Sequence, residues 1–440
     1  MKCKFCQAEL EEGVTLCPAC GQENLPEETA KKKMTSTKLA VIYICIIALL
    51  AALIAPVIMG LKNGGSADKD AQYSGGIIFA DGNEDDVTCK GSYTVSDRKA
   101  KSKANKVIAT AGDAELTNGM LQSIYWLQVY NFLGEYGEDY NIQENMPLEE
   151  QMCFANEKNW SWQQYFLDVS LREWQMYNAF CQEAKAVGFE GTTDMAALLE
   201  QMRTSLEKTA TDEGFASVEE LILNDMGPGA SLEAYLQFLE LTERAYDYYE
   251  HLYNTLEPTE DQIRAYYEEN LALFEENGVT DDGSVLVDVR HILLQPADAE
   301  NEQEWLDCEK QAQDLLDQWL AGEADEDSFA ALANEHSSDP GSNTKGGLYE
   351  YVQKGRMVQE FNDWCFDASR QYGDYDIIKT SYGYHIMFFV QSEPVWHVYA
   401  KNSAASQLLN DTMEALLEKY PADVKFSEIV IGEPQLMLEN

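Results

Sequence analysis

The chain has 440 residues and a formal net charge of −46, long enough for two or three domains with sizeable cores. Residues 1–61 hold six Lys and six Glu with neither Arg nor Asp, so the whole negative excess follows residue 61. That charge argues against nucleic-acid binding, because phosphates would be repelled. It leaves two readings, solubility or the capture of basic and unfolded clients.

Residues 1–24 place Cys3, Cys6, Cys17 and Cys20 in two Cys-x-x-Cys knuckles ten residues apart. Four thiolates suit tetrahedral Zn²⁺ with no open position, which makes the expected metal structural. So short a segment cannot bury a core, and the metal would supply most of its folding energy. A pair of redox Cys-x-x-Cys motifs is the alternative. The segment resembles the small zinc ribbons found at the N-termini of many bacterial membrane proteins. The scattered cysteines Cys89, Cys153, Cys181, Cys308 and Cys365 show no framework spacing, so no essential disulfide set is expected.

Residues 25–38 are a polar linker ending in Lys31-Lys32-Lys33 and Lys38. Leu39 to Leu61 then run without a charge, enough to span a hydrocarbon core of about 30 Å. No cleavage site is evident, so the segment reads as an uncleaved transmembrane helix. The lysines before it keep the N-terminus cytoplasmic and put the rest outside the cell membrane. Residues 62–105, rich in Gly, Ser, Asp and Lys, read as a flexible tether.

Residues 106–113 read as a strand and turn, after which Thr117 caps a helix with Met120, Ile124, Leu127 and Tyr130 on one face. Tyr165, Val169, Met176 and Phe180 share the face of a second helix, which Gly188 ends. Helices over 217–226 and 231–255 are separated by Gly227-Pro228. Trp126, Trp160, Trp162 and Trp174 at helical spacing read mostly as core, with a client-binding crevice as the alternative. Thr259-x-x-Gln262 is a capping box opening another helix. A helix from Ala404 to Lys419 closes the chain, and 424–431 alternates like a strand.

Between these helices the motifs change. Val289-Arg-His-Ile-Leu-Leu is followed by Phe329-Ala-Ala-Leu-Ala, Ser337-Ser-Asp-Pro340, Gly346-Gly-Leu348, Met357, Phe361 and Tyr382-Gly-Tyr-His-Ile386. That order resembles the parvulin peptidyl-prolyl cis-trans isomerases over about a hundred residues. The opening at 106–130 and the segment 257–270 resemble PrsA- and SurA-like extracytoplasmic foldases. The resemblance implies a multidomain architecture: zinc ribbon 1–24, linker 25–38, transmembrane helix 39–61, tether 62–105, a mostly α-helical chaperone domain 106–283, an α+β parvulin domain 284–392 (antiparallel sheet flanked by helices), and a segment 393–440 returning to the chaperone domain. On that basis 424–431 is expected to pair with 106–111.

The resemblance also implies a site. Leu348, Met357 and Phe361 match the proline socket. His291 and His385 match the paired histidines, and Asp339 falls beside the substrate amide, its ionisation left open. Tyr382 falls where a hydroxyl residue stands, with Thr380 two residues before it. The implied activity is rotation of X-Pro amides in exported polypeptides, with no cofactor for catalysis. The loop after Leu348 departs from the pattern in Tyr349-Glu350-Tyr351, and one extra residue precedes Met357. That departure keeps a second reading open, a holdase that uses the fold to bind clients. A homodimer also stays open. No basic cluster suits a phosphate before proline, no Ser-His-Asp or Cys-His arrangement suggests hydrolysis, and no ligand spacing of histidines suggests metal.

Overall fold

A computed structural model describes residues 92–140, 142–143, 146–153 and 160–434. The expected zinc ribbon with Cys3, Cys6, Cys17 and Cys20 and the expected membrane helix 39–61 lie outside the described residues. Among the described residues no helix is long and apolar enough to cross a membrane, and no His/Cys/Asp/Glu group could hold a metal ion. Cys181, Cys308 and Cys365 are free thiols.

In chain order the elements are α1 (Asp97–Lys103), β1 (Val107–Ala111), β2 (Ala114–Thr117), α2 (Asn118–Tyr140), α3 (Trp162–Val187), α4 (Met195–Glu213), α5 (Val218–Met226), α6 (Leu232–Thr255), α7 (Glu260–Glu269), α8 (Leu271–Glu276), β3 (Val285–Leu294), α9 (Glu302–Ala321), α10 (Glu326–His336), β4 (Leu348–Gln353), α11 (Gln359–Cys365), β5 (Tyr375–Lys379), β6 (Tyr384–Pro394), α12 (Val395–Lys419) and β7 (Ala422–Val424). They divide into two units, one holding the described residues up to Thr255 and from Asp411 onward, the other Leu256–Asn410.

In the first unit the local signals act where the sequence puts them. Thr117 Oγ1 accepts from Met120 N at 3.3 Å and opens α2. Ser161 and Gln164 form a capping box on α3, and Gly188 ends that helix in the left-handed region at φ 72°. Trp126, Trp162 and Trp174 are buried, so these three build core and line no open crevice. Phe132 packs its ring 5.0 Å from Trp162 and 5.5 Å from Phe166, and the last two stack at 5.6 Å. Such rings carry large buried areas and set the α2–α3 crossing.

Two expectations change here. Residues 97–103, assigned to the tether, form α1. Asp97 at its start and Lys101 and Lys103 at its end complement the helix dipole, and Ala100 is buried. The closing strand is also shorter and earlier than 424–431. β7 pairs antiparallel with β1 through Ala109↔Val424, Thr110↔Asp423 and Ala111↔Ala422, giving the order β2-β1-β7. Residues Phe426–Glu428 then turn into a 3-10 helix.

After that turn the chain becomes a strap held by side chains at i, i+4 and i+8 of α2. Asn118 Oδ1 accepts from Val430 N at 3.0 Å, Gln122 Oε1 accepts from Gly432 N at 2.9 Å, and Trp126 Nε1 donates to Gly432 O at 2.9 Å. Ile431 also bonds the early chain, donating to Tyr93 O and accepting from Val95 N. Gln122 Nε2 further donates to Met226 O at 2.7 Å. Gln122→Ala strands these buried groups, so a loss of about 1–3 kcal/mol is expected in chemical denaturation. Faster amide exchange at Val430 and Gly432 should accompany it; unchanged exchange there would show that the strap is held by other contacts.

The second unit holds an antiparallel sheet of order β4-β3-β6-β5. β3 is buried on both faces, which suits its run of Val, Leu and Ile. One face packs Ile292, Leu294, Ile386 and Phe388 against α9 and α10, with Trp319 and Phe329 at the centre. The other packs Val287, Val289, Met387 and Phe389 against Phe361, Trp364 and Cys365 of α11. Residues 256–283, expected with the chaperone domain, group with this unit. Ile263, Tyr267, Phe274 and Val279 pack on Trp396, Ala400 and Ala404 of α12.

Candidate active site

The two histidines meet because of strand register. β3 and β6 pair His291↔Met387 and Leu293↔His385, so the histidines are diagonal neighbours on the α11 face. Their rings lie 5.2 Å apart and 18° from parallel. Phe361 sets its ring edge-on to both, at 5.4 and 5.6 Å. Met357 packs against the apolar cluster that contains Phe361.

A chain of hydrogen bonds runs through the pair. Thr380 Oγ1 lies 2.9 Å from His385 Nε2, His385 Nδ1 lies 3.0 Å from His291 Nδ1, and His291 Nε2 lies 3.0 Å from Asp339 Oδ2. One proton arrangement satisfies every link. Asp339 is a carboxylate and accepts from His291 Nε2–H; the other His291 nitrogen accepts from His385 Nδ1–H; Thr380 donates to His385 Nε2. Burial, followed by the neighbouring His291, pushes the His385 imidazole down to about 3, so it is neutral at physiological pH. Asp339 is held well below the usual carboxylate range. The bond from His291 leads, those from Ser342 and Tyr349 add to it, and burial opposes them. The ionised form is therefore the one this site holds.

Asp339 Oδ2 takes three donors: His291 Nε2, Ser342 Oγ at 2.5 Å and Tyr349 Oη at 2.9 Å. Its Oδ1 receives Gly341 N at 3.4 Å. The Asp339 side chain is 15% exposed against 4% for His291, so the buried network meets solvent at the carboxylate. Ser342 Oγ is also 3.2 Å from His291 Nε2. Serine and aspartate share one ring nitrogen here, and Ser342 is fully buried, so the imidazole cannot relay a proton from one to the other as a hydrolytic triad does.

The loop that delivers these groups needs its glycines. Gly347 has φ 72°, its carbonyl accepts from His291 N at 2.9 Å, and an added Cβ would stand 2.3 Å from His291 O. Arg290 ties the loop from the other face, with Nη1 3.1 Å from Lys345 O and 3.0 Å from Gly346 O, and Nε 2.8 Å from Glu326.

Of the residues named from the sequence, His291, His385, Asp339, Met357 and Phe361 come together. Tyr382 does not join them through its side chain, which is 56% exposed at the rim. Its backbone N–H donates to Thr380 Oγ1 at 3.1 Å, and the buried Thr380 hydroxyl takes the place expected of it. Leu348 is half-buried opposite Arg290, on the sheet face away from the histidines, while Tyr349 lies opposite Val289 on the histidine face. An odd-even shift at the start of β4 reverses which of two adjacent residues looks into the site. Ser342 and Tyr349 are the residues missed. The departure from the family loop at Tyr349 was the signal for the second; Ser342 had none beyond its place after Asp339-Pro340-Gly341.

Residues 273–391 match the family model described as a PPIC-type PPIASE domain. The foldase protein PrsA of Exiguobacterium sibiricum is 33% identical over 109 residues, which cover 22% of this chain and 36% of the relative. The foldase protein PrsA of Caldanaerobacter subterraneus is 33% identical over 176 residues, covering 39% of this chain and 47% of the relative. The chain thus spans less than half the length of these two curated relatives. Among solved structures, PrsA from Bacillus subtilis matches over 72% of this chain and 91% of its own, at 18% identity and a TM-score of 0.27. The enzyme class implied by the sequence, peptidyl-prolyl cis-trans isomerase, is the class that the matched domain description names.

Proposed function

We propose that this chain is a membrane-anchored extracytoplasmic foldase that rotates X-Pro amides in exported polypeptides and binds them as a chaperone. The observation that carries the isomerase reading is the buried Thr380–His385–His291–Asp339 network ending in a partly exposed carboxylate, with Phe361 edge-on to both imidazoles and Met357 in the apolar cluster that contains Phe361. Rotation breaks no bond. It must cross a barrier of about 18–20 kcal/mol by favouring the twisted amide over both planar forms. An apolar wall for the proline ring and a fixed charge beside the amide suit that task. The helical unit, rich in aromatic core and acidic surface, supports a client-binding role. The charge-free segment 39–61 and the lysines before it support a single-pass anchor with the later domains outside. Cys3, Cys6, Cys17 and Cys20 would hold a structural Zn²⁺ on the cytoplasmic side.

A second reading, a holdase of weak turnover, is favoured by the loop after Leu348, where Tyr351 is half exposed at φ 56°. The full chain in detergent should interconvert cis and trans proline peptides in exchange spectroscopy. Met357→Ala should lower kcat/KM by roughly 10- to 100-fold, as loss of apolar contact in a fitted pocket does. A folded wild-type chain with no turnover above background, protecting a client from aggregation, would transfer the assignment to the holdase.

A further inference from the structure

We infer that Tyr349 is a positioning and specificity-determining residue of this site, its ring walling the proline socket while its hydroxyl holds Asp339 in place. The inference rests on the isomerase reading for its socket and on geometry alone for its hydroxyl. Tyr349 is the β4 residue that register turns toward the histidines. Its ring lies 5.3 Å from that of His291, tilted by 33°, and packs into the cluster that holds Met357 and Phe361. Its hydroxyl reaches Asp339 Oδ2 at 2.9 Å. One side chain thus touches both the apolar wall and the charge. Pressure on the ring by a bound proline would be felt at the carboxylate.

The groups facing Asp339 are few and named. His291 comes from β3, Ser342 and Gly341 from its own loop, Tyr349 from β4, and His385 stands behind His291 on β6. With Oδ2 occupied by three donors, the carboxylate cannot swing freely, and Oδ1 carries only the long bond from Gly341 N. The phenol itself stays protonated, pushed up to about 12 first by burial and then by its bond to Asp339. Gly341 keeps that bond possible: a Cβ there would stand 2.7 Å from the Tyr349 hydroxyl and no closer than 3.6 Å to Asp339. A side chain at 341 is therefore a second way to move the phenol without touching its chemistry.

The test follows the Asp339 carboxyl carbon by NMR in the full chain, its signal assigned by loss in Asp339→Asn. Tyr349→Phe removes one of three donors, so the Asp339 titration should rise by about one pH unit, a tenfold change in proton affinity. The acid limb of kcat/KM should rise with it while KM stays within twofold, because the ring remains. Gly341→Ala should reproduce the titration shift. Tyr349→Leu, which also shortens the wall, should raise KM at least fivefold for a proline peptide. An unmoved titration in both Tyr349→Phe and Gly341→Ala overturns the inference, as does a Tyr349→Leu variant with unchanged KM. A wild-type chain without turnover overturns the isomerase reading and the socket role with it; the carboxyl titration then still decides whether Tyr349 holds Asp339.

Discussion

Asp339→Ala is expected to lower kcat/KM for X-Pro isomerisation by roughly 10- to 100-fold, the equivalent of about 1.5–3 kcal/mol for a hydrogen-bonded charge. Two effects combine. The substitution removes the fixed charge that meets solvent at the site. It also takes the acceptor from the buried Ser342 Oγ–H and leaves His291 Nε2–H only the longer contact to Ser342 Oγ. Asp339→Asn separates the two. The amide oxygen still accepts a bond but carries no charge, so turnover as low as in the alanine variant would assign the effect to charge. His385 is driven down to about 3 and Asp339 lies below the usual carboxylate range, so neither should contribute a limb to the wild-type rate between about pH 5 and pH 8. An alanine variant with wild-type near-ultraviolet dichroism and turnover within twofold would remove Asp339 from the mechanism.

The helical unit should lose stability as the pH rises from about 5 to 8. Glu173 is buried between α2 and α3, where its carboxyl accepts from Tyr177 Oη at 2.7 Å and Gln128 Nε2 at 2.5 Å. Burial pushes it up to about 7, with those two bonds opposing. Glu243 on α6 is likewise buried and pushed up to about 7, by burial and then by the negative charge of Asp247. Asp247 is itself bonded by Thr192 and Thr193. A carboxyl raised in the fold binds more protons folded than unfolded between its two values. Its contribution is therefore complete below about pH 4.3 and falls away as the pH climbs through 7. For Glu173 the loss is on the order of 3 kcal/mol. Denaturation of the full chain from pH 5 to pH 8 should show the helical unit weakening. Glu173→Gln, which keeps the shape and removes the charge, should flatten roughly half of that slope. A helical unit whose midpoint does not move with pH would mean that these carboxyls reach water.

The helices named before the structure were legible because their ends are written locally. Thr117, Gly188 and Thr259 act through hydrogen bonds or backbone angles within a few residues, and such signals survive any tertiary context. α1 was not legible. Asp97 to Lys103 is polar, and only the burial of Ala100 distinguishes it from a linker. The closing strand was assigned to the correct partner edge and the wrong residues, because alternation over 424–431 is equally compatible with the strap that Asn118, Gln122 and Trp126 hold through its backbone.

The sequence by itself determined the composition of the site: two histidines, an aspartate, a methionine and a phenylalanine in an order that resembles one family. Those residues carry their chemistry wherever they are placed. Only the tertiary structure decided which side chains look into it. Strand pairing has a period of two, so the choice between Leu348 and Tyr349 depends on the β3–β4 register and not on either residue's own preference. The choice of Thr380 over Tyr382 depends on the turn that buries one hydroxyl and exposes the other. The charge on Asp339 depends on three donors brought from β3, β4 and its own loop, and no local stretch of sequence contains all three.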